Sequence, residues 1–250
     1  MNIWAIGDLH LSFDPRVEKP MDIFGGSWVG HEQRLKEIWL RLVEEDDLVI
    51  LAGDLSWALR LDEAVCDLQW IDSLPGTKLI VKGNHDLWWS GISKVKNACK
   101  DLKTLRFLQH DAYAYGNAVI FGTRGWVCPG AKDYSEEEDG PVYRREVLRL
   151  QMSAAEADKL AAQREAETGR KPEKIGVLHY PPTNEFFEPS GFTEVFETVG
   201  VQKIIYGHLH GENAYKNGLQ GLFNGIEYSL VSLDRLECCP KLIYEEGEIK

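Results

Sequence analysis

The stretch Asn2-Ile3-Trp4-Ala5-Ile6-Gly7-Asp8-Leu9-His10 sets the reading of the whole chain. An apolar run of strand length is cut off by a glycine, and a carboxylate and an imidazole follow it, one residue apart. The same grammar recurs downstream. Leu48 to Ala52 is followed by Gly53-Asp54, and Lys78 to Lys82 by Gly83-Asn84-His85-Asp86. Ile175 to Leu178 is closed by His179, and Lys203 to Tyr206 by Gly207-His208-Leu209-His210. A further run, Val119 to Phe121, leads into Gly122-Thr123-Arg124. Short apolar runs of this kind read as buried strands.

Between several of them lie segments with helical spacing. His31 to Glu44 carries Leu35, Ile38, Trp39 and Leu42 on one face, and Leu61 to Leu74 carries Ala64, Val65, Leu68 and Ile71. Strands alternating with helices imply an α/β fold with a largely parallel sheet in the first half. In such a sheet the C-terminal strand ends share one edge, where ligands bind, so the polar residues after each strand should converge. A lone Gly-Asp is usually a turn, and a lone His at a strand end is more often a core residue than a ligand. The ordered set argues otherwise, because five of the seven His lie in these motifs. His31 and His110 fall outside them and read as surface or packing residues.

Val142 to Thr168 is rich in Arg, Glu, Ala, Leu and Gln, which predicts one long helix, or two broken near Ser153, ended by Gly169 and Pro172. The acidic run Glu136 to Asp139 before it, within Pro129 to Pro141, reads as a solvated loop, with a flap over a site as the alternative. Tyr228 to Leu233 and Lys241 to Tyr244 are strand-like and separated by turns, which suggests an antiparallel second sheet in the last fifth.

The chain of 250 residues, with 44% hydrophobic and 27% charged residues, suits one large domain spanning residues 1–250. A formal net charge of −12 disfavours long nucleic acid as a partner but leaves room for small phosphates beside bound cations. Five Cys without a C-x-x-C pair read as reduced thiols. The N-terminal residues lack the pattern of a signal peptide, and no apolar run is long enough for a bilayer, so a cytoplasmic setting is expected.

The ordered motifs Asp8-x-His10, Gly53-Asp54, Gly83-Asn84-His85-Asp86, His179 and Gly207-His208-x-His210 resemble those of the calcineurin-like metallophosphoesterases, without substitution at any ligand position. The resemblance implies a four-layer α/β/β/α sandwich of two mixed sheets flanked by helices. It also implies two divalent metal ions, with Asp8, His10 and His210 on one, Asn84, His179 and His208 on the other, and Asp54 bridging. His85 would face substrate as general acid or phosphate contact, with Asp86 orienting its ring.

Asp8 and Asp54 would set two negative charges against four positive ones, a surplus of about two that suits a phosphate and a hydroxide. Two such ions can activate a shared water for attack on phosphorus. The histidine-rich donor set favours Mn, Fe, Zn or Co over Mg. The expected activity is hydrolysis of a small phosphomonoester or phosphodiester, or of a phosphoprotein, by a metal-bridging hydroxide. The alternatives are a nuclease or nucleotide pyrophosphatase of the same kind, and a non-catalytic scaffold that retains the fold.

Substrate contacts are harder to read. Arg124 could bind phosphate bidentately or pair with an acidic side chain. Trp88 and Trp89 could stack on a flat leaving group or pack in the core. Trp57, Tyr180 and Pro181-Pro182 also follow motif residues and are expected to shape the pocket wall.

Overall fold

The computed structural model describes residues 1–246. Two compact units form, one from residues 1–107 with the chain from 231 onward, the other from residues 108–230.

The first unit alternates strand and helix as the spacing predicts. Its elements are β1 (Asn2–Ile6), α1 (His31–Leu42), β2 (Leu48–Leu51), α2 (Leu61–Asp72), β3 (Thr77–Ile80), α3 (Ile92–Ala98) and β4 (Leu105–Phe107). The four strands run parallel, with Ile3 beside Leu48, Leu48 beside Thr77 and Lys78 beside Leu105. All four residues of β2 are buried, which explains its unbroken apolar sequence. Leu35 and Trp39 of α1 and Ala64, Leu68 and Ile71 of α2 pack with Val49 and Leu51 in one core. Truncating Leu68 there would cost about 2–5 kcal/mol.

Lys78, read simply as part of a strand, is fully buried. Its ammonium donates to the carbonyl of Leu74 and the hydroxyl of Thr104, and burial pushes its pKa down to about 8.

The second unit contains β5 (Ala112–Tyr115), β6 (Ala118–Thr123), α4 (Gly140–Thr168), β7 (Glu173–Leu178), α5 (Gly191–Val199), β8 (Lys203–Tyr206), α6 (Glu212–Tyr215), β9 (Gly221–Phe223) and β10 (Ile226–Leu230). Its sheet has the order β5-β6-β7-β8-β10-β9. The inner strands β6, β7, β8 and β10 are parallel, and the edge strands β5 and β9 antiparallel. Gly122 lets β6 and β7 approach, since a Cβ there would run into the carbonyl of Val177. The helix α4 is continuous through Ser153, whose hydroxyl is drawn off the helix to accept from Gly122 N (2.9 Å) and donate to Asp111 O (2.6 Å). Gly169 ends it in a left-handed conformation, as its sequence predicts.

The chain then returns to the first unit as β11 (Lys241–Glu245), antiparallel to β1. This corrects the expectation of an antiparallel sheet built from the last fifth. The strand at Tyr228 lies parallel to β8, and the strand at Lys241 joins the five-stranded sheet. Both sheets are mixed and carry helices between their strands, in the α/β class.

Candidate metal centre

In the first unit the turns after β1, β2 and β3 are stitched to one another. Asp8 N donates to Gly53 O (2.8 Å), His10 N to Asp54 O (3.0 Å) and Leu11 N to Leu55 O (2.9 Å), so the Asp8 and Asp54 turns run side by side. The Asp86 carboxylate ties in the third turn. One oxygen accepts from Asp54 N (3.0 Å) and Gly83 N (2.7 Å), the other from Leu55 N (2.9 Å) and the Trp88 indole (3.0 Å). His85 N in turn donates to the Asp54 carboxylate at 2.7 Å.

These turns gather the first group of expected ligands. Asp8 and His10 present ligand atoms within 4.8 Å of each other, and His10 Nε2 lies 4.0 Å from the second carboxylate oxygen of Asp54. Asp8, His10, Asp54 and Asp86 are buried, while Asn84 and His85 are half-buried on the adjoining turn. Buried carboxylates cost free energy unless cations or donors answer them, and a metal ion held by Asp8 and Asp54 would supply that answer.

The backbone stores strain at the same places. Asp8, His10 and Asp54 have φ of 58°, 48° and 52°, in the left-handed region that side chains other than Gly seldom adopt. Each such residue costs of the order of 1–3 kcal/mol and persists only where its surroundings hold it. The flanking glycines therefore do not carry all of the sharp turning, although Gly53 (φ 93°) contributes. Gly83 serves close approach instead, since a Cβ there would collide with the backbone N and carboxylate of Asp54.

The second unit assembles its own group. His179 N and Tyr180 N both donate to Arg124 O (3.0 Å each), and Gly207 N donates to His179 O (3.0 Å), which chains together the ends of β6, β7 and β8. The rings of His179 and His208 lie 5.1 Å apart, near perpendicular, with ligand atoms within 4.8 Å. Tyr180 packs on His208 at 4.1 Å. His208 again has a left-handed backbone, φ 72°, and His210 lies half-buried two residues on.

A cavity of about 270 Å³ opens beside His208, lined among others by Cys128, Tyr180, Pro181, Asn184 and Asn217. Burial pushes the Cys128 thiol up to about 12, so it stays protonated and inert. None of the five cysteines is in a disulfide.

Arg124 adjoins this second group through its backbone, its carbonyl accepting from His179 N and Tyr180 N. Its guanidinium sits over the Trp126 ring at 4.5 Å and 3.4 Å from Glu146, a fully buried residue of α4. Glu146 also accepts from Thr123 Oγ1 and Arg149 Nη1 (2.6 Å each). Burial pulls the Arg124 pKa below its ordinary value, and Glu146 opposes that shift. Nothing in the residues around position 146 of the sequence signals this buried acid.

Other side chains support the site without standing in its motifs. His31 is fully buried, with its ring between the carbonyls of Leu9 (2.9 Å) and Trp28 (3.1 Å), where it braces the turn that holds Asp8 and His10. Trp88 and Trp89 are core residues, Trp89 packing edge-on against Phe107 at 5.2 Å.

The family model of the calcineurin-like phosphoesterases matches residues 1–212, and the chain belongs to that family. Two relatives are the gene 66 proteins of the mycobacterial phages D29, 33% identical over 90 residues, and L5, 31% identical over 85 residues. Each match takes in 34% of this chain and 40% of the relative, so it spans about two-fifths of the relatives' length. Among solved structures, the phosphopantetheinyl hydrolase of Mycobacterium tuberculosis has a similar fold, with a TM-score of 0.53 at 18% identity over 100% of this chain and 98% of that one.

Proposed function

We propose that the chain is a dinuclear metal-dependent phosphoesterase that hydrolyses a small phosphomonoester or phosphodiester, or a phosphoprotein. The single observation that carries this reading is the first-unit cluster, in which Asp8, His10 and Asp54 hold ligand atoms together on a strained and heavily braced backbone. Strained backbone of this kind clusters at ligand and catalytic sites, and here three such residues stand together with their ligand atoms. That the family model takes in parts of both units supports the expectation of one working domain.

In this reading Asp8, His10 and His210 would hold one ion and Asn84, His179 and His208 the other, with Asp54 available to both. Oxygen donors mixed with imidazoles suit Mn, Fe or Zn. Bound there, two divalent ions would lower the pKa of a water molecule and neutralise the phosphoryl oxygens.

The side chains do the remainder. The amide of His85 fixes one oxygen of Asp54 and leaves the other facing His10. The half-exposed imidazole of His85 delivers a proton to the departing oxygen. Arg124, restrained by Glu146 and Trp126, pairs with a phosphate oxygen, and the cavity beside His208 takes the leaving group.

The net charge of −12 supports small substrates over long nucleic acid. Among the described residues no helix is long and apolar enough to cross a membrane. The unpaired cysteines support a reducing, cytoplasmic setting.

The test is a panel of phosphomonoesters, linear and cyclic diesters, nucleotides, phosphopeptides and a phosphopantetheinyl compound, assayed with manganese and paired with metal analysis of the purified protein. Turnover of one group with about two metal ions per chain is expected. A chain that binds no divalent metal would overturn the reading.

A further inference from the structure

The imidazole of His85 is held in an unusual way. Among the described residues its ring makes no hydrogen bond to a side chain, and the oxygens of the neighbouring Asp86 receive backbone amides and the Trp88 indole. The contacts of the ring are aromatic. Trp57 lies against it at 4.5 Å and 55°, and His10 meets it edge-on at 5.7 Å. The other partner of Trp57 is His10 itself, stacked at 4.6 Å and 20°.

The indole is fixed from several directions. Trp57 N donates to Leu11 O (2.9 Å), its ring N–H points to Met21 Sδ (3.2 Å), and the Lys19 ammonium stands 5.7 Å from the ring. The turn beneath is pinned by Ser56, whose hydroxyl donates to the buried Asp67 and accepts from Ala58 N (3.1 Å). A braced plate therefore lies against both a metal-ligand candidate, His10, and the partly exposed His85. A histidine without a hydrogen-bonding partner rotates about χ1 and χ2 unless packing selects one rotamer.

We propose that Trp57 is the positioning residue of His85, setting the plane and reach of the imidazole by ring contact in place of a hydrogen-bonded carboxylate. The proposal rests on the role given to His85 above. Misplacement of a catalytic group by about 1 Å can cost about 100-fold in rate, so the contact has room to matter.

The test is a double-mutant cycle of Trp57→Ala and His85→Ala, with Trp57→Phe as the conservative variant. Trp57→Ala is expected to lower kcat by about 10- to 100-fold with KM changed far less. Trp57→Phe, which keeps an aromatic face, should recover most of that loss. In the His85→Ala background the same Trp57→Ala change should cost almost nothing more, whereas a merely structural or metal-holding Trp57 would cost as much as before. Full additivity, or an unchanged kcat in Trp57→Ala, would overturn the proposal.

A second readout does not depend on catalysis. In zinc-loaded protein the ring protons of His85 should be shifted by the indole ring current, and they should move on Trp57→Ala. Unmoved His85 resonances would sink the positioning role. A wild type that turns over no substrate would instead count against the proposed function and leave the resonance result intact.

Discussion

The carboxylate of Asp86 accepts the backbone N–H of Asp54 at 3.0 Å, so an acid after one strand fixes the turn after another. Its two oxygens also receive Gly83, Leu55 and the Trp88 indole, all donors. Asp86→Asn would set an NH2 group against N–H groups and leave buried donors unmet. We expect a loss of about 2–4 kcal/mol in urea unfolding, accompanied by weaker metal retention. Wild-type stability in this variant would show that the bonds carry little.

Gly83→Ala should be equally telling, because the added methyl meets the Asp54 backbone and carboxylate. The variant is expected to fold with a lowered Tm and to bind less metal, measured by thermal unfolding and elemental analysis. Full metal content would mean that the Asp54 turn yields more readily than its bracing suggests.

His85→Ala should remove most turnover, by about 100-fold or more, while metal content stays near that of the wild type. Loss of metal in this variant would reassign the residue as a ligand. Asp54→Asn should reduce occupancy of both ions, and an unaltered two-metal stoichiometry would rule out a bridge.

For Arg124 the kinetic signature is in KM. Arg124→Ala is expected to raise KM for the true substrate by more than about tenfold, since one charged hydrogen bond to phosphate is lost. An unaltered KM would restrict Arg124 to its pairing with Glu146.

Asp67 offers a test by pH. Burial raises its pKa from 3.8 to about 6, against the opposing bonds from Ser56 and Phe13. Between those values the folded protein keeps a proton that the unfolded chain has already released, so this group lowers stability as pH rises and the effect levels off above about pH 6. Asp67→Asn lacks that slope. Relative to wild type, its unfolding free energy should improve by about 2 kcal/mol from about pH 4.5 to about pH 7. Parallel profiles would contradict the assignment.

The motif strands were legible in the sequence because each is a short apolar run ended abruptly by a turn residue, and β1 and β8 have the bounds their sequences suggest. The edge strand β5 escaped notice although Ala112-Tyr113-Ala114-Tyr115 alternates, because all four residues are only half-buried. The helix α5 escaped too, since its capping box pairs Ser190 with Thr193 and not with the usual Glu or Gln. Strand partners at the C-terminus were misread because nothing local to Lys241 names β1 as its neighbour.

Of the candidate site, the ligand types and their order were visible, but the supports were not. His31 and Glu146 act through contacts with residues far away in the chain, Leu9 for His31 and Thr123 for Glu146, and Trp57, expected at the pocket wall, has ring contacts with His10 and His85 that its motif does not announce.

The family match stops at residue 212, yet Gly7, just before Asp8, is clasped by what lies beyond it: its N–H donates to Val231 O (2.8 Å), and its carbonyl accepts from Leu233 N (3.1 Å). The outer flank of β1 is likewise closed by β11. A fragment trimmed to the end of the family match would keep every proposed metal-binding side chain and lose the clasp that shapes the first of them. Anyone designing a minimal version of this protein should therefore retain the chain through Glu245.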